Sequence, residues 1–185
     1  MLFRSLLPIL KQKGRPIHIY TDKRGTFVVN KGKGGKTQFA RAMDELGIGM
    51  ITAHSPQAKG RIERTFRTLQ DRLIWEMRLH RINTIEEANE FLPKFFEEHN
   101  NKYSKTPSSP IDAYRSLDQN KPLKYIVCTK EKRMVSKDLE VQYKNQIYQL
   151  RPKKDVNVGL RNAKVTVITT FEGELVFDLR VKMLD

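Results

Sequence analysis

Cysteine is nearly absent from this 185-residue sequence, with Cys128 the single example. One thiol cannot form a disulfide framework or a cysteine-rich zinc site, and its scarcity is typical of a reducing compartment. Long apolar runs are also missing, since no stretch approaches the roughly 20 residues that a membrane-spanning helix requires. The apolar N-terminal segment is interrupted by Arg4 and lacks the small-residue cleavage site of a signal peptide. We therefore expect a cytoplasmic protein with no membrane partner.

Acidic residues are scarce relative to basic ones. The chain contains 35 Lys and Arg against 21 Asp and Glu, which gives a formal net charge of +14. Residues 1–80 contain 16 basic and 6 acidic side chains, whereas residues 81–125 contain 7 of each. A charge that serves only solubility would be spread more evenly. The concentration in the first eighty residues indicates a surface that binds a polyanion such as nucleic acid.

Apolar spacing and stop signals predict an α/β arrangement in residues 1–80. Helices are expected at 2–13, 38–46 and about 58–79, with short strands at 17–20 and 48–52. In the third helix, apolar residues recur every three or four positions, which indicates one buried face. This stripe consists of Ile62, Phe66, Leu69, Leu73 and Met77.

The rest of the chain predicts two further regions. Thr84 and Glu87 fit a capping box that opens a helix over residues 85–99, which Pro93 should kink or split. A short helix is expected at 110–114. After residue 125, period-two strands flank turns at 144–145 and 172–173, and we expect them to close as a small barrel.

Two carboxylates lie where chemistry is expected. Asp22 follows a buried strand, where open α/β sheets place functional residues. Glu63 lies in the first turn of the long helix, beside its apolar stripe. Phosphodiester chemistry uses carboxylates on rigid elements to hold Mg²⁺, which prefers oxygen ligands. Taken singly, each has a simpler explanation: Asp22 as a turn residue, and Glu63 as a first-turn glutamate paired with Arg67.

The flanking residues carry more information. Tyr-Thr-Asp-Lys-Arg-Gly-Thr-Phe at 20–27 and Ser-Pro-Gln-Ala-Lys-Gly-Arg-Ile-Glu-Arg at 55–64 resemble the second half of the DDE integrase and transposase core. This is the retroviral-integrase-like catalytic domain of bacterial insertion-sequence transposases. Residues 98–101, 106–107 and 110–114 resemble the Asn…Thr-Pro…Ala-Tyr stretch that follows this core. The resemblance extends over nearly the whole chain.

The resemblance implies a fold and an organisation. Residues 1–80 would be the C-terminal half of an RNase H-like integrase core, within an α/β fold class. Residues 81–125 would be a helical connector, and residues 126–185 a small SH3-like β-barrel.

The resemblance also implies an activity. Asp22 would be the second aspartate of the catalytic triad and Glu63 its glutamate, together binding two Mg²⁺ or Mn²⁺ ions. The intact enzyme would cleave DNA at the element ends and join them to target DNA, as a homo-oligomer associated with the nucleoid. The expected DNA-contacting side chains are Lys59, Arg61, Arg64, Arg67, Lys23 and Arg24.

The family's first aspartate would lie upstream of residue 1. We therefore expect this chain to represent the C-terminal portion of a transposase, inactive alone. One alternative is a non-catalytic DNA-binding truncation or relic of such an enzyme. A second is a basic RNA-binding protein built on the barrel, which would give Asp22 and Glu63 no special role.

Overall fold

A computed structural model of the chain describes residues 2–29, 35–55, 57–120, 122–151 and 159–179. It is a mixed α/β structure, which confirms the predicted class at that level. The helices are α1 (Leu2–Lys13), α2 (Gln38–Leu46), α3 (Gly60–Leu79) and α4 (Ile85–Tyr103). The strands are β1 (Arg15–Pro16), β2 (His18–Thr21), β3 (Gly49–Thr52), β4 (Tyr114–Arg115), β5 (Thr129–Met134), β6 (Glu140–Tyr143), β7 (Gln146–Gln149), β8 (Lys164–Thr169) and β9 (Leu175–Asp178). None of these helices has the length and apolar character needed to span a bilayer.

The chain divides into two compact units. The first unit combines Met1–Ile51 with Ala113–Asp185, and the second is Thr52–Asp112. The two segments of the first unit meet where β1 pairs with β4 in antiparallel register. The predicted division at residues 80 and 125 stays a prediction.

Helices α1 and α2 have the predicted bounds because local signals end them. Thr37 caps α2, since its Oγ1 accepts a hydrogen bond of 3.0 Å from the Ala40 N–H. Gly47 ends the helix in the left-handed region, with φ of 66°. Both helices contribute to one apolar core, which also includes residues that lie eighty positions further along the chain. Its buried members are Leu10, Phe39, Ala42, Met43, Leu46, Ile48, Ile126 and Val127.

The predicted hairpins after residue 125 are confirmed. Lys144 and Asn145, with φ of 49° and 62°, turn β6 into β7, as expected for a tight two-residue hairpin turn. Gly173, with φ of 89°, lies in the turn between β8 and β9. Strand β5 was not predicted, because its sequence is mostly charged and has no period-two apolar pattern.

The strands do not close into a barrel within the described residues. Strands β5, β8 and β9 form one antiparallel sheet in that order, and β6 and β7 form a separate pair. The two sheets share apolar side chains, so packing rather than a continuous hydrogen-bonded ladder holds this region together. The buried side chains of this second core are Val135, Val141, Tyr143, Leu150, Val165 and Val167.

Helices α3 and α4 form an antiparallel hairpin in the second unit. The capping box is present, with Thr84 Oγ1 accepting from the Glu87 N–H at 3.2 Å. Helix α4 continues through Pro93 to Tyr103, so Pro93 does not split the helix, and the alternative of a kink stays a prediction. Both Pro93 and Asn89 are exposed. Water can therefore bind the Asn89 carbonyl that proline leaves without an intrahelical donor.

The predicted buried face of α3 is covered only in part. Leu69, Leu73 and Met77 are half-buried, no side chain of α3 is fully buried, and Ile62 and Phe66 are 45% and 56% exposed. Contacts with α4 explain the difference. Arg72 lies over the ring of Tyr103, the last residue of α4, at 5.0 Å, and the rings of His80 and Phe91 are 5.0 Å apart. Residues 60–71 therefore extend about 18 Å beyond the end of α4, at about 1.5 Å per residue.

The short helix predicted at 110–114 is also wrong. The Ile111 N–H does donate to Ser109 Oγ at 3.3 Å, so the local turn signal is present. Tyr114 instead pairs with Pro16 as part of β4. A single turn of helix is costly to nucleate, and the strand partner supplies hydrogen bonds without that cost.

Candidate nucleic-acid and metal site

Asp22 lies directly after β2, as predicted. It follows Thr21, which is buried, and its own side chain is 25% exposed. Its Oδ1 accepts a hydrogen bond from the Arg24 N–H at 3.2 Å, and its Oδ2 lies 3.3 Å from Arg24 Nε. The carboxylate is thus half-buried, beside a cation.

The loop after Asp22 is anchored to the first core by Phe27. The rings of Phe27 and Phe39 meet edge to face, with centroids 5.1 Å apart. Thr37 Oγ1 donates to the Phe27 carbonyl at 3.2 Å, which links the loop to the start of α2. Phe27 therefore fixes the segment that carries Asp22, Lys23 and Arg24, a positioning role that the sequence motif by itself did not reveal.

Glu63 lies in the first turn of α3, also as predicted, and is exposed. Around it, Arg61, Arg64 and Arg67 are exposed on the part of α3 that extends beyond α4. Arg64 Nε donates to the Gly60 carbonyl at 3.0 Å, which holds its side chain along the helix. Lys59 is half-buried. It is both the last residue of a 3₁₀ turn at Gln57–Lys59 and the N-cap residue of α3.

The alternative interpretation of Glu63 as the ion-pair partner of Arg67 finds no support. No ion pair joins the two side chains in the part of the chain that the structure describes. Glu63, Arg61 and Arg67 are all exposed to solvent, which suits contact with an external ligand.

The predicted site residues fall into two groups. Asp22, Lys23 and Arg24 lie together in the first unit, and the residues from Lys59 to Arg67 lie together in the second. Pro56, which belongs to the second motif, lies outside the described residues. Among the described residues, no group of three or more His, Cys, Asp or Glu side chains could hold a metal ion. Asp22 and Glu63 each offer the oxygen donors that Mg²⁺ prefers.

A polar network that sequence reasoning missed joins α2 to β5. Glu45 accepts from Arg41 Nη1 at 2.8 Å and from Lys130 Nζ at 2.7 Å. Gln38 Oε1 accepts from the Lys130 N–H at 2.9 Å, and its Nε2 donates to the Lys130 carbonyl at 2.6 Å. The sequence carries no signal that links Lys130 to Glu45, 85 residues away, or to Gln38, 92 residues away.

The network shifts two pKa values. Burial by itself would raise the pKa of Glu45, but hydrogen bonds from Lys130 and Arg41 outweigh it and hold the pKa below its ordinary value. Burial raises the pKa of the Cys128 thiol. Cys128 is buried, and a raised pKa lowers the fraction of its thiol in the reactive thiolate form.

Two curated proteins are similar to this chain along almost its whole length. "Putative transposase y4bF" of Sinorhizobium fredii is 39% identical over 185 residues, which cover 97% of this chain and 40% of that protein. The chain is similar to transposases. The transposase for insertion sequence IS1202 of Streptococcus pneumoniae is 28% identical over 187 residues, covering 98% of this chain and 40% of that protein. The chain thus spans about two fifths of the length of these relatives. No family model matches it.

Proposed function

We propose that this chain is the part of a DNA transposase that carries two of its catalytic carboxylates, Asp22 and Glu63. The observation that carries the proposal is the 39% identity to y4bF over 97% of the chain. Two placements support it: Asp22 follows β2, and Glu63 lies in the first turn of α3 among exposed arginines. In this proposal, residues 1–80 belong to the C-terminal half of an RNase H-like core, and residues 126–185 belong to an SH3-like module.

The proposed cofactor is Mg²⁺ or Mn²⁺, with two ions in the intact enzyme. Asp22 and Glu63 would be two of its ligands, and a third carboxylate would come from another part of the transposase. When bound, the ions would stabilise charge on the oxygens that attack and leave the phosphodiester during cleavage and strand transfer. Before metal binds, Arg24 offsets the charge of Asp22 through the 3.3 Å contact.

The proposed DNA contact on the second unit is the basic group Lys59, Arg61, Arg64 and Arg67. The three arginines are exposed and follow one another within two turns of α3. Contact with a phosphate releases condensed counterions, so the affinity falls as salt rises, with a slope of about −0.9 for each phosphate in a plot of log K against log salt. If each of the four cations meets one phosphate, we expect a slope of about −3.6.

A salt titration with short duplex DNA tests this assignment. The variant R61A/R64A/R67A should reduce the magnitude of the slope by about 2.7, because three of the four phosphate contacts on α3 are lost. The matched control is K94A/K102A/K105A, which removes the same charge from α4 and the segment after it. In this control variant, the slope of log K against log salt should stay close to that of the parent chain. Equal losses in both variants would indicate a response to net charge alone and would contradict the proposed contact.

A further inference from the structure

A groove in the first unit lies between the end of β5 and the β6–β7 hairpin, and it contains none of the residues proposed above to bind metal or DNA. Its volume is about 440 Å³. This volume falls within the roughly 300–1,000 Å³ of small-ligand sites. We call it the hairpin groove, and the lining residues that decide its chemistry are Met134, Glu140, Gln142, Ile147 and Asn162.

Two large apolar side chains of the hairpin groove are exposed. Met134 is 61% exposed and Ile147 is 68% exposed. Ile147 pairs with Gln142 across the hairpin, whereas the neighbouring pair of Val141 and Tyr148 packs in the second core. Met134 and Ile147 therefore present apolar surface to the groove instead of to a core. A ligand that covers them would remove that surface from water, which is favourable.

Polar side chains of the same groove have unused hydrogen-bonding capacity. The amides of Gln142 and Asn162 and the carboxylate of Glu140 make no hydrogen bond within the described part of the chain. An amide offers both a donor and an acceptor, and a carboxylate accepts. Such groups recognise the hydrogen-bonding edges of nucleobases. Apolar walls and polar groups together suit a flat ring with donors and acceptors along its edge.

Two lysines lie beside the groove, on the sheet face that carries Met134. Lys164 is the register partner of Met134. Lys132 precedes Met134 by two residues, which is about 7 Å along a strand. Both lysines are exposed, and neither forms an ion pair with a described residue. Their charge suits a phosphate attached to a ligand in the groove.

The combination of apolar walls, edge-reading polar groups and adjacent cations matches one nucleotide. In a duplex, each base is stacked on its neighbours, so only an unpaired base can place its face against apolar side chains. Glu140 would repel an acidic peptide but can accept from the exocyclic amino group of a base. We infer that the hairpin groove binds an unpaired nucleotide of DNA, with its base against the two apolar side chains and its phosphates beside the two lysines. The inference rests on the proposed function, since strand cleavage and transfer are the steps that would present unpaired nucleotides to this chain.

Two DNAs test the inference with the full 185-residue chain. One is a blunt duplex, and the other is the same duplex with a short single-stranded overhang that carries 2-aminopurine. The overhang should lower the dissociation constant about fivefold, the low end of the range for stacking of one base on a side chain. The 2-aminopurine fluorescence should also change on binding, because the base leaves water.

Variants of the groove assign these two effects to it. M134A/I147A should abolish the advantage of the overhang and the fluorescence change, and it should leave the affinity for the blunt duplex unchanged. Phe171→Ala is the matched control, because Phe171 is 50% exposed in the same unit but does not line the groove. It should preserve both effects.

Charge variants test the lysines. K132A/K164A should weaken binding of the overhang DNA more than binding of the blunt duplex. The control K11A/K13A removes the same charge from α1 and should affect both DNAs equally.

The outcomes separate this inference from the proposed function. A chain that binds neither DNA contradicts both. Equal affinity for the two DNAs, an unchanged fluorescence signal, or equal effects of M134A/I147A and Phe171→Ala would overturn the inference alone. Tighter binding of an RNA overhang than of the DNA overhang would overturn the assignment to DNA.

Discussion

Replacing Glu45 with glutamine should destabilise the first unit by about 1 kcal/mol at neutral pH. Glu45 accepts two charge-assisted hydrogen bonds, from Arg41 at 2.8 Å and from Lys130 at 2.7 Å. Such bonds contribute about 1.5–3 kcal/mol each when water is excluded. The Glu45 side chain is 33% exposed, so solvent screening reduces the contribution of each hydrogen bond to about 1 kcal/mol. The amide that replaces the carboxylate cannot accept from both cations, and one of them loses its partner.

The effect of Glu45→Gln should depend on pH in a defined direction. The folded-state pKa of Glu45 is lowered below its ordinary value of 4.5. The ionised carboxylate therefore stabilises the folded state fully above about pH 4.5, and this contribution disappears as the pH falls through the folded-state pKa. The difference between the parent and the variant should be largest near pH 7 and should shrink in strongly acidic solution.

The measurement must report on the first unit. Trp75, the only tryptophan, lies in the second unit, so its fluorescence would follow the wrong part of the chain. We suggest a urea titration with pulsed hydrogen exchange, read by mass spectrometry in the peptide that contains α2. Glu98→Gln is the control, because its 4.0 Å contact with Lys94 is exposed and should contribute less than about 0.5 kcal/mol. If Glu45→Gln lowers the free energy of unfolding by the same amount at acidic pH as at pH 7, the reasoning is refuted.

Three further predictions concern the site and the fold. In a Mn²⁺ titration, the parent chain should bind weakly and D22N/E63Q more weakly still, because two carboxylates leave most of the coordination shell to water; equal binding would contradict the metal assignment. In a strand-cleavage assay, the 185-residue polypeptide alone should leave DNA intact, because the proposed third ligand is missing; cleavage abolished by Glu63→Gln would place that ligand within the chain. Gly47→Ala should cost about 1–2 kcal/mol in urea denaturation, because φ is 66° and a Cβ would meet Arg15 Nη1 at 3.2 Å; an unchanged midpoint would show that the left-handed turn relaxes.

Local signals in the sequence determined the elements near the candidate site. Helix α2 begins at the residue after Thr37 and ends before Gly47, because a side-chain oxygen and a left-handed glycine act within one turn of the chain. The positions of Asp22 after β2 and of Glu63 in the first turn of α3 were predictable for the same reason. The turn at Lys144 and Asn145 was also visible in the sequence, from the period-two strands on either side.

Tertiary structure alone decided which surfaces are buried. The stripe at Ile62 and Phe66 has the spacing of a buried face, but periodicity shows only that apolar side chains share a side. Whether that side is covered depends on the length and register of a partner, and α4 ends opposite Arg72, before it reaches them.

Polar contacts between residues far apart in the chain likewise could not be predicted from the sequence. The bond between Glu45 and Lys130 joins residues 85 positions apart, and β5 exists because β8 pairs with it rather than because of its own composition. By itself, the sequence determined the helix ends, the hairpin turns and the local positions of the two carboxylates, because those depend on neighbours within a few residues. Burial and strand pairing depend on partners that only the folded chain brings near.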